Sequence, residues 1–444
     1  MPILSKEQAQ ALMKKVLSFS KADECEVNLS GTDGGNVRYA RNSVSTSGIV
    51  SQSQLVVASA YGKKLGIATI NEFDDASLEK VVRRSEELAQ LAPENPEYVS
   101  VLGPQKYSES KTFVQATASI TPKQRSELVE QSLKVAKEKK AIAAGFLEDN
   151  NGFAAMMNSK GLFAYNTSTN TNFSITVRTE DGKGSGYAIR GYNDVTKLDT
   201  KTATEIATKK AISSATAKAI EPGKYTVILE PAAVAVLLEN IFFGLDARQA
   251  DEGRSFLSKP GGLTRLGEKM VDERVNIYSD PQNPELPTSP WNGDGRPQEK
   301  VSWIEKGVIK NLTWQRYWAE KKGVKAVPPP DAAIMDGGTK SLDELIKGTK
   351  KGVLVTKLWY IRSVDPQTLL LTGLTRDGTF YIENGEIKYP IKNFRFNESP
   401  IIMLNNIEEL GRQERTVSTE SNQNYLLPAI KARDFTFSSL SDAV

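Results

Sequence analysis

Carboxylate side chains are the groups in this sequence best suited to chemistry, because two of them together can bind a hard metal ion or transfer protons. The candidates lie between residues 246 and 294: Asp246, Asp251, Glu252, Asp272, Glu273 and Asp294. Sequence spacing alone does not show which of these groups meet in space, and each one taken singly is more typical of a surface turn. A hydrolase that uses clustered carboxylates and a hard metal therefore stays an open alternative.

Histidine is absent from all 444 residues, and Cys25 is the only cysteine. Without histidine, the chain by itself cannot form a Ser-His-Asp site, a Cys-His site or a histidine zinc site. A single cysteine cannot form an intrachain disulfide or a CxxC redox pair. Cys25 lies between Glu24 and Glu26 in a predicted strand. Because neighbouring carboxylates disfavour a thiolate, we expect a buried structural thiol and not a nucleophile.

Motifs and charge argue against nucleotides, nucleic acids and membranes as partners. Residues 182–186 (GKGSG) lack the spacing of a phosphate-binding loop and lie in a predicted hairpin turn. The net charge is +3, from 57 basic and 54 acidic residues, without a basic stripe. The longest apolar stretch, residues 232–243, is shorter than the roughly 20 residues of a membrane-spanning helix. The first residues do not resemble a signal peptide, so we expect a cytoplasmic protein.

The elements that would position a site in the first half form a repeat. Residues 5–8 and 121–124 both have the spacing of a capping box, and an apolar stripe at helical spacing follows each. Each helix leads to two strand-like segments joined by a turn, and a second helix closes each copy. The strand-like segments are residues 54–60, 65–70, 173–179 and 185–190. We predict an N-terminal α/β domain, residues 1–222. It contains a helix–antiparallel sheet–helix unit in about 1–95 and a second copy in 112–222. The alternative is that two unrelated α+β segments resemble each other by coincidence.

The second half has a different composition. Residues 225–229 are a predicted strand, and Pro231 and Gly244 bracket an apolar helix. Beyond residue 250, short β-prone runs alternate with Gly and Pro. These runs are residues 301–304, 308–312, 353–361, 369–372, 379–383 and 386–389. We therefore predict an α+β protein whose C-terminal domain, residues 223–444, is mostly antiparallel β, arranged as a barrel or a sandwich.

Several short segments have a characteristic order and spacing. They are residues 38–43 (RYARNS), 223–231 (GKYTVILEP), 252–257 (EGRSFL), 303–308 (WIEKGV), 372–378 (TGLTRDG) and 381–387 (YIENGEI). Together they resemble the TldD/PmbA family, whose members are labelled modulators of DNA gyrase and zinc-dependent proteases. The resemblance covers nearly the whole chain and implies an α/β N-terminal half and a β-rich C-terminal half. The near-neutral charge gives no support to a nucleic-acid role.

The resemblance also implies where a zinc site would lie. In the TldD branch, the helix after the first strand of the C-terminal domain carries H-E-x-x-x-H, and a cysteine near the C-terminus is a further ligand. The corresponding residues here are 238–243 (LENIFF), so Leu238 and Phe243 occupy the histidine positions and only Glu239 is kept. We expect Leu238 and Phe243 to be packing residues, and Glu239 to cap, pair or face solvent. No catalytic residue, metal or other cofactor is expected.

Because it lacks these ligands, the sequence resembles the metal-free PmbA/TldE branch of the family. The resemblance implies that such members assemble with TldD to degrade unfolded peptides and process peptide precursors such as microcins. The first hypothesis is such a subunit, silent alone, with a TldD-like zinc-bearing subunit as partner. Its predicted peptide-binding residues are Thr375, Arg376, Asp377 and Gly378. A tight turn before the strand at residue 379 is an equally open interpretation of these four. The second hypothesis is a stand-alone homodimeric peptide-binding or scaffold protein without proteolytic activity.

Overall fold

The computed structural model describes residues 3–441, so the first two and last three residues of the predicted domains lie outside the described residues. The helices of the first half are α1 (Lys6–Phe19), α2 (Asp75–Leu91), α3 (Gln115–Ala118), α4 (Pro122–Glu138) and α5 (Thr200–Ser214), with a 3₁₀ turn at Val195–Lys197. The strands are β1 (Glu24–Ala40), β2 (Ser43–Tyr61), β3 (Lys64–Ile70), β4 (Ala141–Asn158), β5 (Phe163–Thr179) and β6 (Ser185–Tyr192).

Helix starts in the first half follow their local sequence. At α1, the hydroxyl of Ser5 accepts from the backbone N–H of Gln8, and the side-chain oxygen of Gln8 accepts from the backbone N–H of Ser5. Thr121 and Gln124 form the same capping box at α4. Such caps satisfy backbone donors that a helix leaves unpaired. Both predicted capping boxes are therefore confirmed.

The six strands of the first half form one antiparallel sheet in the order β3-β2-β1-β4-β5-β6. Strands β1 and β4 pair at its centre, so the units α1-β1-β2-β3-α2 and α4-β4-β5-β6-α5 lie on either side. This arrangement confirms the predicted repeat. Cys25 is buried in β1, and burial raises the pKa of its thiol, in keeping with a structural residue.

The strands are longer than the apolar pattern predicts. Only the start of β1, around Cys25, was predicted as a strand, and β4 was not predicted. Gly, Asn, Asp and other polar residues interrupt the apolar alternation near the middle of both strands. β2 extends from Ser43, although β3 covers it only from Leu55 onward. Residues 43–54 of β2 therefore form an open sheet edge. This edge is largely exposed and carries no charged side chain.

The second half contains the remaining elements. Its helices are α6 (Pro231–Gly244), α7 (Ala247–Asp251), α8 (Arg316–Lys322), α9 (Leu342–Lys347) and α10 (Pro400–Asn405). Its strands up to residue 335 are β7 (Gly223–Leu229), β8 (Ser258–Lys259), β9 (Leu263–Thr264), β10 (Ile277–Ser279), β11 (Val301–Glu305), β12 (Val308–Ile309) and β13 (Ala333–Met335). The later strands are β14 (Lys351–Asp365), β15 (Leu370–Glu383), β16 (Glu386–Pro390), β17 (Phe394–Glu398), β18 (Ile407–Val417) and β19 (Asn424–Leu440).

Five strands of the second half close a ring. β7 pairs with β14 and β19, β19 pairs with β17, and β15 joins β17 to β14. The ring favours the barrel over the sandwich among the two predicted alternatives. The sheet is mixed, because β7 runs parallel to β14 and β13 runs parallel to β19. Alternation within a strand predicts its buried face but not the direction of its neighbour, so this detail was not predictable.

Contacts between the halves involve charged and polar side chains. The ammonium of Lys210 on α5 lies 2.7 Å from both carboxylate oxygens of Glu230, which precedes α6. The hydroxyl of Ser185 on β6 donates to Asp377 on β15 at 2.6 Å. The boundary between the predicted domains, at residue 222, stays a prediction. Within residues 3–441, no helix is both long and apolar enough to cross a bilayer.

Candidate functional site

Helix α6 carries the residues that the sequence resemblance places at zinc positions. Pro231 occupies the first turn, where a missing N–H costs nothing, and the helix runs through the core of the second half. Leu238 is fully buried there, as expected of a packing residue. Phe243 is 66% exposed, so the packing role expected for it is wrong. The last turn of α6 leaves the core, and Phe243 lies one turn beyond Glu239 on the same helix face.

Glu239 is a buried carboxylate held by two serines. Ser418 and Ser421, in the turn between β18 and β19, donate hydroxyl hydrogen bonds of 2.5 and 2.8 Å to the same oxygen of Glu239. Burial raises the pKa of Glu239, while the two hydroxyls oppose that shift. Of the three interpretations left open for Glu239, the structure shows pairing.

The side chains at the zinc positions do not fit a zinc ion. Leucine and phenylalanine supply no donor atom, whereas zinc takes nitrogen, sulfur or carboxylate oxygen ligands. One oxygen of the remaining candidate, Glu239, already accepts two hydroxyls. Across residues 3–441, no three His, Cys, Asp or Glu side chains lie close enough together to hold a metal ion. Leu238 and Phe243 therefore cannot act as metal ligands.

The six carboxylates considered for a hard metal have other partners. Asp246 caps α7 by accepting from the backbone of Gln249. The remaining five accept from cationic or indole groups: Asp251 from Trp318 and Lys322, Glu252 from Arg248 and Arg254, Asp272 from Arg274, Glu273 from Lys269, and Asp294 from Arg296. These pairs give each carboxylate a structural role.

Three aromatic side chains are exposed on α6 and β14, two elements that are in contact with each other; we call Phe243, Trp359 and Tyr360 together the aromatic patch. The backbone N–H of Tyr360 donates to Glu420, in the same turn as the two serines that hold Glu239. Trp359 and Tyr360 are 38% and 48% exposed, with ring centroids 5.5 Å apart. The turn that holds Glu239 on α6 therefore also contacts the β14 segment that carries the two rings.

The four predicted peptide-binding residues lie inside β15, not in a turn, so the turn interpretation is wrong. Thr375 is fully buried and bonds to Asn393 and to the backbone of Phe394. Asp377, also buried, accepts from Ser185. Asp377 and Gly378 have positive φ angles of 55° and 119°. The pairing of β15 with β14 shifts register at these residues, but β15 continues beyond them.

Arg376 is the one of these four residues that reaches the aromatic patch. Its guanidinium lies 4.4 Å from the ring centroid of Trp359, a cation–π arrangement. Lys357, across the strand pair, is half-buried beside Asp377, and desolvation lowers the pKa of its ammonium although Asp377 opposes the shift. A peptide role for the four residues stays a prediction.

Sequence reasoning missed a cavity of about 800 Å³ between the two halves. Its walls come from β6 and α5 on one side and from α6, α9 and β18 on the other. The residues of β6 were predicted as a strand, but nothing in the sequence indicates that this strand ends its sheet opposite the second half.

Two family models match the chain: the PmbA/TldA metallopeptidase central domain at residues 116–215 and the C-terminal domain at residues 222–439. The chain belongs to the PmbA/TldD family. This membership confirms the resemblance seen in the sequence motifs. The family is one of metalloprotease-like proteins.

Individual relatives are distant. A metalloprotease of Archaeoglobus fulgidus is 26% identical over 206 residues, which cover 43% of this chain and 46% of that protein. The chain thus spans about half the length of that relative. Metalloprotease PmbA of Escherichia coli O157:H7 is 21% identical over 428 residues, covering 94% of this chain and 93% of that one. The crystal structure of TldE from Thermococcus kodakarensis shares the fold, with a TM-score of 0.87 at 20% identity over 97% of this chain and 99% of that chain.

Proposed function

We propose that this chain is the metal-free subunit of a TldD/TldE-type metallopeptidase complex that degrades unfolded peptides or processes peptide precursors. The observation that carries the proposal is the α6 segment, where Leu238 and Phe243 supply no metal donor while the family fold is kept. In this assembly the zinc chemistry belongs to a TldD-like partner. This chain contributes architecture and part of the peptide-binding surface.

The aromatic patch supports a partner at this face. Trp, Tyr and Arg are the residues that most often contribute strongly to binding at protein interfaces. Here Trp359 stacks with Arg376, and Phe243 projects from the end of α6 into solvent. A subunit that covers the patch would bury these rings next to the helix that carries the zinc ligands in TldD-type proteins.

The test combines the purified chain with the TldD-type subunit of the same host, and measures zinc content and hydrolysis of an unfolded peptide. We expect the chain alone to bind no stoichiometric zinc and to hydrolyse nothing. The mixture should hydrolyse the peptide and lose this activity to a chelator. Chelator-resistant hydrolysis by the chain alone, abolished by Glu239→Ala, would overturn the proposal.

Variants of the patch test where the partner binds. Phe243→Ser and Tyr360→Ser should weaken co-purification with the partner. Leu91→Ser is the matched control, because Leu91 is 75% exposed at the end of α2, in the other half of the chain. Equal effects of all three substitutions would argue against the patch as the docking face.

One observation favours the alternative of a stand-alone homodimeric peptide-binding or scaffold protein. Residues 43–54 of β2 form an open, uncharged edge, and such edges readily pair with another strand. A second copy could pair there without charge repulsion. Sedimentation of the chain alone distinguishes the homodimer from the subunit of a complex. A dimer that dissociates in the Ile49→Lys variant, in a chain that captures no TldD-type subunit, favours the homodimer.

A further inference from the structure

The cavity between the halves contains a strand edge. β6 is the last strand of its sheet. The backbone N–H and C=O of Ser185 both bond to the hydroxyl of Ser214, away from β5. Because alternate residues of an antiparallel strand direct both groups to the same side, Tyr187 and Ile189 direct theirs away from β5, on the side of the cavity. The carbonyl of Ile189 already accepts from the guanidinium of Arg190 at 2.7 Å, so the open groups are the N–H and C=O of Tyr187 and the N–H of Ile189. No strand of the described chain pairs with them there.

The open edge is short. At one end Ser185 is bonded to Ser214, and at the other Gly191 packs so closely against Val417 that a Cβ on Gly191 would lie 2.5 Å from a Val417 methyl. The five residues between these ends span about 17 Å at the usual rise of a strand. The edge therefore has room for a peptide segment of about four or five residues.

The floor and the rim of the cavity have different chemistry. Apolar side chains form its floor, and Ile189, Leu354 and Phe380 are among them. Six cationic and four acidic residues line the cavity. Two of the acidic residues, Glu230 and Glu386, are already neutralised by lysines.

Several of the cations form no ion pair with a carboxylate at contact distance within the described part of the chain. They are Arg190, Lys209, Lys347 and Arg412. Arg415, at the far wall, keeps a buried Nε without a hydrogen-bond partner among residues 3–441. An anionic group in the cavity would therefore find donors that the protein leaves unused.

We propose that this cavity binds an extended peptide with alternating apolar and acidic side chains, which adds as a strand to the open edge of β6. Backbone hydrogen bonds to both groups of Tyr187 and to the N–H of Ile189 would supply affinity independent of sequence, and the apolar floor and cationic rim would supply the preference. The inference rests on the proposed function, since it names the peptide class that the subunit would hold. The site is separate from the aromatic patch.

The test measures fluorescence anisotropy of labelled peptides with the purified full chain alone. Three probes are compared: Ac-DVEVD, its basic counterpart Ac-KVKVK, and Ac-DVEVD with N-methylated valines. The acidic probe should bind, more weakly at high salt. The other two probes should bind about tenfold more weakly or worse. The basic probe has the wrong charge, and the N-methylated probe lacks backbone N–H groups needed for a strand ladder.

Charge reversal locates the site. Lys209→Glu combined with Lys347→Glu should raise the Kd of the acidic probe about tenfold, because two attractive rim charges become repulsive. The matched control reverses Lys134 and Lys139, which are exposed outside the cavity, and should leave the Kd within about twofold. Equal binding of the acidic and basic probes, or no effect of the rim reversal, would overturn the inference.

Failure of this peptide site can be distinguished from failure of the proposed function. Zinc-dependent hydrolysis with the TldD-type subunit, but no binding of the acidic probe, refutes this site and leaves the complex standing. Binding of the acidic probe without any hydrolysis by the mixture supports the site and refutes the complex.

Discussion

Replacement of Glu239 tests whether its carboxylate is a structural acceptor. Glu239→Ala removes the acceptor of two hydroxyls and leaves a cavity beside Leu238. Ser421 is exposed and can bond to water, so only the buried Ser418 loses the acceptor of its hydroxyl hydrogen. An unsatisfied buried polar group costs about 1–3 kcal/mol of the free energy of unfolding. We expect Glu239→Ala to lower stability by about that amount.

Glu239→Gln should behave differently, because an amide oxygen still accepts from the serines and carries no charge to bury. The pH dependence follows from the sign of the pKa shift. Burial raises the pKa of Glu239 in the folded state, so the folded form retains its proton to a higher pH than the unfolded form. The stability contributed by this group is greatest below its unfolded pKa of about 4.3 and declines as pH rises through the folded value. Relative to the native chain, the Gln variant should therefore gain stability between pH 4 and pH 8.

The measurement is urea unfolding followed by circular dichroism at several pH values, with thermal melting as a second readout. About 1 kcal/mol corresponds to roughly 2–4 °C in Tm for a domain of this size. Glu130→Gln, on the exposed face of α4, is the matched control and should change neither value. The reasoning fails if the Ala and Gln variants are equally stable, or if the advantage of Gln shrinks as pH rises.

Other substitutions test the fold and its edges. Asp149→Ala should lower the free energy of unfolding by about 3–5 kcal/mol in urea, because it leaves the buried guanidinium of Arg125 without its charge partner. Gly186→Ala should destabilise the first half by about 1–3 kcal/mol, seen as earlier unfolding in hydrogen exchange. Its new Cβ would lie 2.0 Å from the carbonyl oxygen of Ala207 on α5. Ile49→Lys should leave the Tm nearly unchanged while reducing any self-association measured by sedimentation, since its side chain is 75% exposed.

Much of the architecture follows from local chemistry. The caps at Ser5 and Thr121 and the bounds of α6 at Pro231 and Gly244 depend on a few neighbouring residues, so the sequence predicts them correctly. The repeat was recognisable for the same reason, because each copy carries its own start signals. The full length of β1 and the whole of β4 were missed because polar residues in their middle break the alternation that identifies a strand.

The sequence by itself determined which reactions this chain cannot perform alone, since a residue type that is absent supplies no ligand or base in any fold. It also determined the family, through motifs that need only order and spacing. Tertiary structure decided which groups meet: Glu239 with two serines more than 170 residues away, Arg376 with Trp359, and the edge of β6 with the second half. Such contacts depend on how sheets and helices pack over long separations, and local residue patterns do not encode them. For the same reason Phe243, apolar and assigned to packing by its type, lies exposed where its helix leaves the core.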